Sequence, residues 1–151
     1  MNFPALRMRS KTFATWLALL GGSLGLHRFY MFGFKDKLAW LHPVPTLIGY
    51  YGVLRMQDLG QDDRVAWVLM PLLGLMLAAS MLQAIVYGLT PDDKWDQRYN
   101  AGRASAASGW LAVIAVVLSL LVGGIALMAT LAFTSQRYFE SQVDASKELS
   151  Q

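Results

Sequence analysis

Leu19-Leu20-Gly21-Gly22-Ser23-Leu24-Gly25-Leu26-His27-Arg28-Phe29-Tyr30-Met31-Phe32-Gly33 runs a glycine-rich apolar helix end straight into a histidine, an arginine and three aromatic rings. Rings sit well among lipid headgroups, and arginine keeps its charge in water while its stem stays in the apolar layer. The stretch therefore reads as an apolar helix arriving at a membrane interface.

Upstream, Arg7, Arg9 and Lys11 precede an apolar run from Thr12 to Leu26, which imitates a signal peptide. No small-x-small cleavage site follows, so the spacing predicts an uncleaved first span over about Thr12 to Tyr30. Ala14, Ala18 and Gly22 recur every four residues, and Gly21 and Gly25 form a Gly-x-x-x-Gly. Small residues at this spacing let a second helix backbone approach closely in lipid. The neighbour is either another span of this chain or a second protein.

Downstream, Phe29 to His42 mixes Phe29, Tyr30, Phe32, Phe34 and Trp40 with Lys35, Asp36 and Lys37, the composition of a bent segment lying at the interface. Pro43 and Pro45 suit the first turn of a second span that runs to about Met56 and is closed by Arg55 and Asp58. Asp62 or Asp63 then caps a third span over about Val65 to Leu89, with Pro71 inside it. Thr90-Pro91-Asp92-Asp93 opens a short amphipathic connector, which places Trp95 and Tyr99 at the interface. A fourth, uncharged span covers about Gly109 to Phe133, with Ala112, Ala115, Ser119, Gly123, Ala126 and Thr130 in one small-residue stripe. From Ser135 the chain is polar, helical at first and then frayed.

Composition supports this division. Of 151 residues, 55% are hydrophobic and 15% charged, against roughly 25% charged in an average soluble domain. The net charge of +3 is too small and too scattered for a nucleic-acid surface. With no cysteine, disulfides and thiol chemistry are absent. The expected fold is thus an all-α polytopic membrane protein of four transmembrane helices with one or two short interfacial helices. Residues 1–61 form a first helix pair, 62–134 a second pair with its connector, and 135–151 a polar tail. Four spans put both termini on one side. Counting Lys and Arg gives seven residues on that side and six on the other, a lean toward cytoplasmic termini in a bacterial inner (plasma) membrane.

Lys11, the Leu-Leu-Gly-Gly-Ser-Leu-Gly-Leu-His-Arg-Phe-Tyr run, Gly33 and an aspartate ending the second apolar segment together resemble the TM-two domain family, over about Lys11 to Gly60. That family has paired transmembrane helices around a short loop with a [His/Asp]-Arg-Phe signature. The resemblance carries its signature onto His27, Arg28, Phe29, Tyr30 and Gly33, and its closing aspartate onto Asp58. It departs from the family where Met31 and Phe32 intervene before the glycine and where Pro43 and Pro45 open the second span. It implies a membrane module that acts through other membrane proteins, with the signature loop in the cytosol in animal members.

The site residues admit few chemistries. If both first helices cross, Arg28 and Asp58 lie roughly 30 Å apart, so a direct pair requires a re-entrant connection. Arg28 then meets Asp36 or a lipid phosphate, and Asp58 meets Arg55, Arg9 or Lys11. His27, Arg28 and Tyr30 with Lys35 and Lys37 form either an anionic-headgroup site or a plain interface anchor. Asp58, Asp62 and Asp63 lack the alternating oxygen pattern of a cation loop, and capping explains them. Gln83 and His42 are the remaining polar side chains expected within spans, and the third and fourth spans hold no buried acid or base for a proton path. No nucleophile, base and orienting acid fall together, and no cofactor or metal motif occurs. The expected role is a non-enzymatic accessory or scaffolding subunit whose partners are the bilayer and other membrane-protein helices or a second copy. An anionic-lipid-binding module and an oligomeric channel near Gln83 are the alternatives.

Overall fold

The computed structural model describes residues 8–148, all of whose regular elements are helical. The elements are α1 (Lys11–Gly21), a 3-10 turn (Gly22–Leu24), α2 (Leu26–Phe32), α3 (Lys37–Leu41), α4 (Pro43–Leu59), α5 (Arg64–Leu89), α6 (Asp92–Tyr99) and α7 (Trp110–Glu148). The basic lead-in before Met8 lies outside the described residues.

Two helices are long and apolar enough to cross a membrane: α5, with 26 residues, and α7, with 39. Only 17% of the most apolar stretch of each is buried. The core helix of a soluble protein hides its apolar side chains, whereas these present Val68, Leu82, Leu120 and Ile125 outward, each more than 60% exposed. Exposed apolar surface of this extent is the mark of a face that meets a membrane or another protein.

Helix α5 is the axis, and every other long helix runs antiparallel to it. Against α4, a Cβ on Gly52 would stand 2.7 Å from Leu69 Cβ, and one on Gly49 would strike the Leu73 backbone. Against α7, a Cβ on Gly74 would strike Thr130, and one on Gly123 would lie 2.7 Å from Met81 Cβ. Helix α1 covers the C-terminal half of α5, where a Cβ on Gly22 would lie 2.5 Å from Ser80 Cβ and one on Gly88 would lie 3.3 Å from Thr15. Small residues thus set the spacing along the whole axis.

The expected first span is not one helix. Helix α1 has 11 residues, roughly 16 Å at 1.5 Å per residue, about half a hydrocarbon core. The chain then passes through the 3-10 turn and Gly25 at φ +79°, and reverses. Folding back, α2 brings the Tyr30 hydroxyl to accept from Ser10 N–H at 2.9 Å and the Tyr30 ring to 5.0 Å from Phe13. Met31 joins Ala14, Ala18, Ala84, Tyr87 and Trp95 in the core. Four glycines in the Gly21–Gly33 region, where apolar periodicity continues unbroken, let the backbone turn without altering the hydropathy.

The hairpin moves the N-terminal end. Ser10, the α2–α3 loop and α6 now share one pole, and the α4–α5 loop and the end of α7 share the other. The described chain therefore begins and ends at opposite poles, where four crossings put both on one side. Helices α3 and α4, of 5 and 17 residues, are joined through His42, which keeps right-handed helical angles. They form a nearly continuous rod of roughly 35 Å from pole to pole.

The remaining boundaries fall close to the expected ones. Asp63 caps α5 by accepting from Ala66 N–H at 3.3 Å, and the prolines sit in the first turn of α4. Thr90 caps the C-terminus of α5, not the N-terminus of α6, its hydroxyl donating to Val86 O at 2.6 Å. The polar tail continues α7 without a break past the expected boundary near Phe133, as far as Glu148.

Candidate functional site

The signature residues occupy the hairpin's returning arm, and each has a separate position. At the tip, a Cβ on Gly25 would strike the Ala39 carbonyl oxygen and one on Gly21 would strike Leu26. Ser23 O accepts from Thr46 Oγ1 at 2.7 Å, which ties the tip to α4. His27 is 1% exposed and points inward, its ring centre 5.5 Å from that of His42 and 6.0 Å from that of Tyr87. Its Nδ1 is buried without a hydrogen-bond partner.

Arg28 Nε donates to Asp36 Oδ2 at 2.8 Å, and its guanidinium stands 5.1 Å from the Phe32 ring centre. The hydrogen bond from Arg28 holds the Asp36 carboxyl below the usual carboxylate range. Phe29 stacks edge-on against Trp40 at 5.0 Å and lies 5.4 Å from Phe34, while Trp40 Nε1 donates to Phe34 O at 2.9 Å. Lys35 and Lys37 are exposed and join no ion pair among the described residues. Arg28 therefore has the carboxylate partner that sequence reasoning named. The elbow is closed by its own side chains.

Asp58 is exposed and meets none of Arg55, Arg9, Lys11 or Arg28. Arg55 pairs instead with Asp63, Nε to Oδ2 at 2.7 Å and Nη2 to Oδ1 at 3.0 Å. Asp58 is a residue of α4 itself, three positions past Arg55 along the helix, whereas Asp63 stands at the α5 N-terminus facing back across the turn. Arg55 thereby lowers the Asp63 carboxyl below its ordinary range and stabilises it as a cap.

The small-residue faces lie inside the chain. Ala14 and Ala18 are fully buried. Ala112, Ala115 and Ser119 are buried on α7, with Gly123 facing Met81, and Ala126 lines a groove over α5. Gln83 is partly buried on α5, and among the described residues no three metal-ligating side chains converge.

One constellation escaped the sequence. Lys11, 7% exposed, places Nζ 2.6 Å from Asp92 Oδ1 and donates to Thr90 O at 2.8 Å. Asp92 also accepts from Ser108 Oγ at 2.7 Å and Ser108 N–H at 3.0 Å. These bonds, Lys11's the strongest, pull the Asp92 carboxyl down to about 2. Trp95, expected at the interface, is fully buried, and its indole N–H donates to Arg9 O at 2.8 Å. Asn100 Oδ1 accepts from Arg9 N–H at 2.8 Å. Helix α6 is thereby clasped to the chain ahead of α1. The one available signal was the run of hydrogen-bonding side chains along the connector, Asp92, Asp96, Asn100 and Ser108.

The arrangement offers partly buried charge pairs, an apolar belt and a polar elbow. Compared with family models, curated proteins and solved structures, this chain matches none.

Proposed function

We propose that the chain is an integral membrane protein with three full crossings, α3–α4, α5 and α7, and a re-entrant hairpin formed by α1 and α2. Only backbone already hydrogen-bonded or buried in protein is tolerated at membrane depth. The hairpin tip meets that requirement: Gly25 N–H donates to Gly22 O at 2.9 Å, Thr46 covers Ser23 O, and Gly22 is buried against Ser80.

The re-entry also changes the charge comparison. Arg9, Lys11, Arg28, Lys35, Lys37, Lys94, Arg98 and Arg103 gather at the pole of Ser10, with Asp36, Asp92, Asp93 and Asp96. Arg55, Arg64, Arg137 and Lys147 lie toward the other, with Asp58, Asp62, Asp63, Glu140, Asp144 and Glu148. Seven against six becomes a marked asymmetry, and the excess of Lys and Arg supports a cytoplasmic Ser10 pole. The C-terminal extension of α7 then stands outside. The signature loop falls on the cytoplasmic side, as the resemblance to the TM-two domain family implies.

The role we infer is that of a non-enzymatic accessory or scaffolding subunit that takes a partner's transmembrane helix. The supporting observation is an apolar groove of about 430 Å³ lined by Val53 of α4, Met70, Pro71 and Gly74 of α5, and Ala126 and Ala129 of α7. Helix α1 packs against both α5 and α7 in the upper half of the bundle. Below it the angle between α4 and α7 stays open, with the shape of a position that a helix already fills above. Ala126 and Thr130, the far end of the α7 small-residue stripe, face this groove, whereas Ala112, Ala115 and Ser119 are buried within the chain.

A photo-crosslinking side chain at Ala129 in native membranes tests the reading. Expected is a discrete protein adduct, abolished when Ala126→Trp fills the groove and absent from the outward position Met128, 66% exposed. Lipid adducts alone at Ala129 overturn it.

A further inference from the structure

An imidazole is the side chain that ordinarily changes its charge near neutral pH, and this chain has two. The fold brings them together at the hairpin tip. His27 on α2 and His42 at the α3–α4 junction stand edge to face, their ring centres 5.5 Å apart. The carboxyls of Asp36, Asp63, Asp92, Asp96 and Glu140 all move down, further from this range.

The two rings are placed differently. His42 is half-buried, and its Nδ1 donates to Leu38 O at 2.7 Å, so it can take a proton at Nε2 without breaking that bond. His27 is 1% exposed, and its Nδ1 has no acceptor. The 3-10 turn and α5 close over that atom: a Cβ on Gly22 would stand 3.5 Å from Nδ1 and 2.5 Å from Ser80 Cβ. Helix α5 also presents Tyr87, its ring centre 6.0 Å away and its phenol neutral at these pH values. The charged groups that act on the His27 ring are Arg28 and, once protonated, His42, both cations. Asp36, the carboxylate of the elbow, is taken by Arg28. An imidazolium at His27 would therefore hold a buried N–H without an acceptor, beside like charge.

We propose that the hairpin is a proton-released latch, closed while His27 is neutral and opened at its tip when His27 takes a proton. The tip is held by the Thr46–Ser23 hydrogen bond and by close seating of Gly25 on Ala39 and of Gly22 on Ser80, none of which accepts a charge. Opening wets the ring and gives its new N–H a water partner. The open form binds a proton that the closed form excludes. The ratio of open to closed molecules is then constant above about pH 6.5, the ordinary imidazole value, and rises about tenfold for each pH unit below it. An open tip withdraws Gly22 from Ser80 and Met31 from Ala84 and Tyr87, baring a small-residue face of α5 of the kind on which helices pack. The latch goes beyond the docking groove, which lies below α1.

The test uses nitroxide pairs on the full chain in mild detergent. Leu24→Cys with Leu47→Cys spans the tip, and Leu82→Cys with Leu120→Cys joins α5 to α7; all four positions are exposed, and the chain has no cysteine of its own. Spin–spin broadening reads each separation at pH 7.5 and 5.5. Expected is a tip pair that separates at pH 5.5, with about a tenfold rise in the open-to-closed ratio, while the α5–α7 pair stays unchanged. The response disappears in His27→Leu and in His27→Met, two uncharged replacements of different shape, and persists in His42→Leu. A tip separation that is equal at both pH values overturns the latch. So does a response that survives in either His27 variant, or one shared by the α5–α7 pair, which would report unfolding of the whole bundle.

Discussion

Lys11 Nζ and Asp92 Oδ1 meet at 2.6 Å, joining the first residue of α1 to the first of α6. The lysine is nearly buried, and the aspartate is 39% exposed on its side chain and also held by Ser108. Because the folded carboxyl titrates near 2, below the ordinary value of about 4, the pair stabilises the fold fully above that ordinary value. Its contribution disappears as pH falls from about 4 to about 2. Asp92→Asn should cost about 1 kcal/mol at neutral pH, a figure kept low because one partner is open to water. Melting in detergent checks both points: the variant should melt lower than wild type at neutral pH and converge with it in acid. Parallel curves at every pH would refute the linkage.

Gly25 combines a left-handed backbone with a Cβ position that strikes the Ala39 carbonyl and lies 3.2 Å from His42 Cβ. Gly25→Ala adds conformational strain of about 1–2 kcal/mol and overpacking of about 1–3 kcal/mol, together enough to open the hairpin tip. Gly124, in α7, has open space at its Cβ position, so Gly124→Ala should be neutral or slightly stabilising. Thermal denaturation of the two variants side by side gives the comparison. Equal small effects would mean that the chain does not reverse at Gly25.

The hairpin makes a topological prediction that four crossings do not share. The chain holds no cysteine, so single cysteines report cleanly. Met8→Cys and Lys37→Cys should react with an impermeant maleimide from the same side of the membrane, and Gln61→Cys and Gln142→Cys from the other. Four spans instead put Met8 with Gln61. Labelling in right-side-out and inverted vesicles distinguishes the two with one gel.

Local chemistry carried most of the helices into view, and tertiary contact decided the rest. The apolar runs of α5 and α7, the prolines opening α4 and the Asp63 cap each follow from a few neighbouring residues. The break in the first helix does not. Hydropathy is blind to direction, and Leu24, Leu26 and Met31 satisfy an apolar pattern whether the chain continues or turns back. The Arg28–Asp36 pair was legible because both residues lie in one short segment. The Lys11–Asp92 pair and the Arg9–Trp95 contact were not, since each joins residues whose proximity exists only after the hairpin forms. Of the small residues, Ala14, Ala18, Ala112, Ala115 and Ser119 are buried within the chain, whereas Gly21 and Gly25, spaced as a helix-packing pair, lie at the reversal of the hairpin.

His27 is the one buried ring in the elbow whose polar atom finds no partner, its Nδ1 lying 3.5 Å from where a Cβ on Gly22 would stand. A buried polar group left unpaired costs about 1–3 kcal/mol, and replacing it with an apolar group of similar size removes that cost. His27→Leu should therefore raise the melting temperature or leave it unchanged, within about 1 kcal/mol of wild type. His27→Ala leaves a cavity between His42, Tyr87 and Ser80 and should destabilise by about 2–4 kcal/mol, an effect of lost volume rather than lost polarity. The two variants together separate packing from hydrogen bonding. If His27→Leu falls as far as His27→Ala, Nδ1 has a partner after all, such as an ordered water held at the tip of the hairpin.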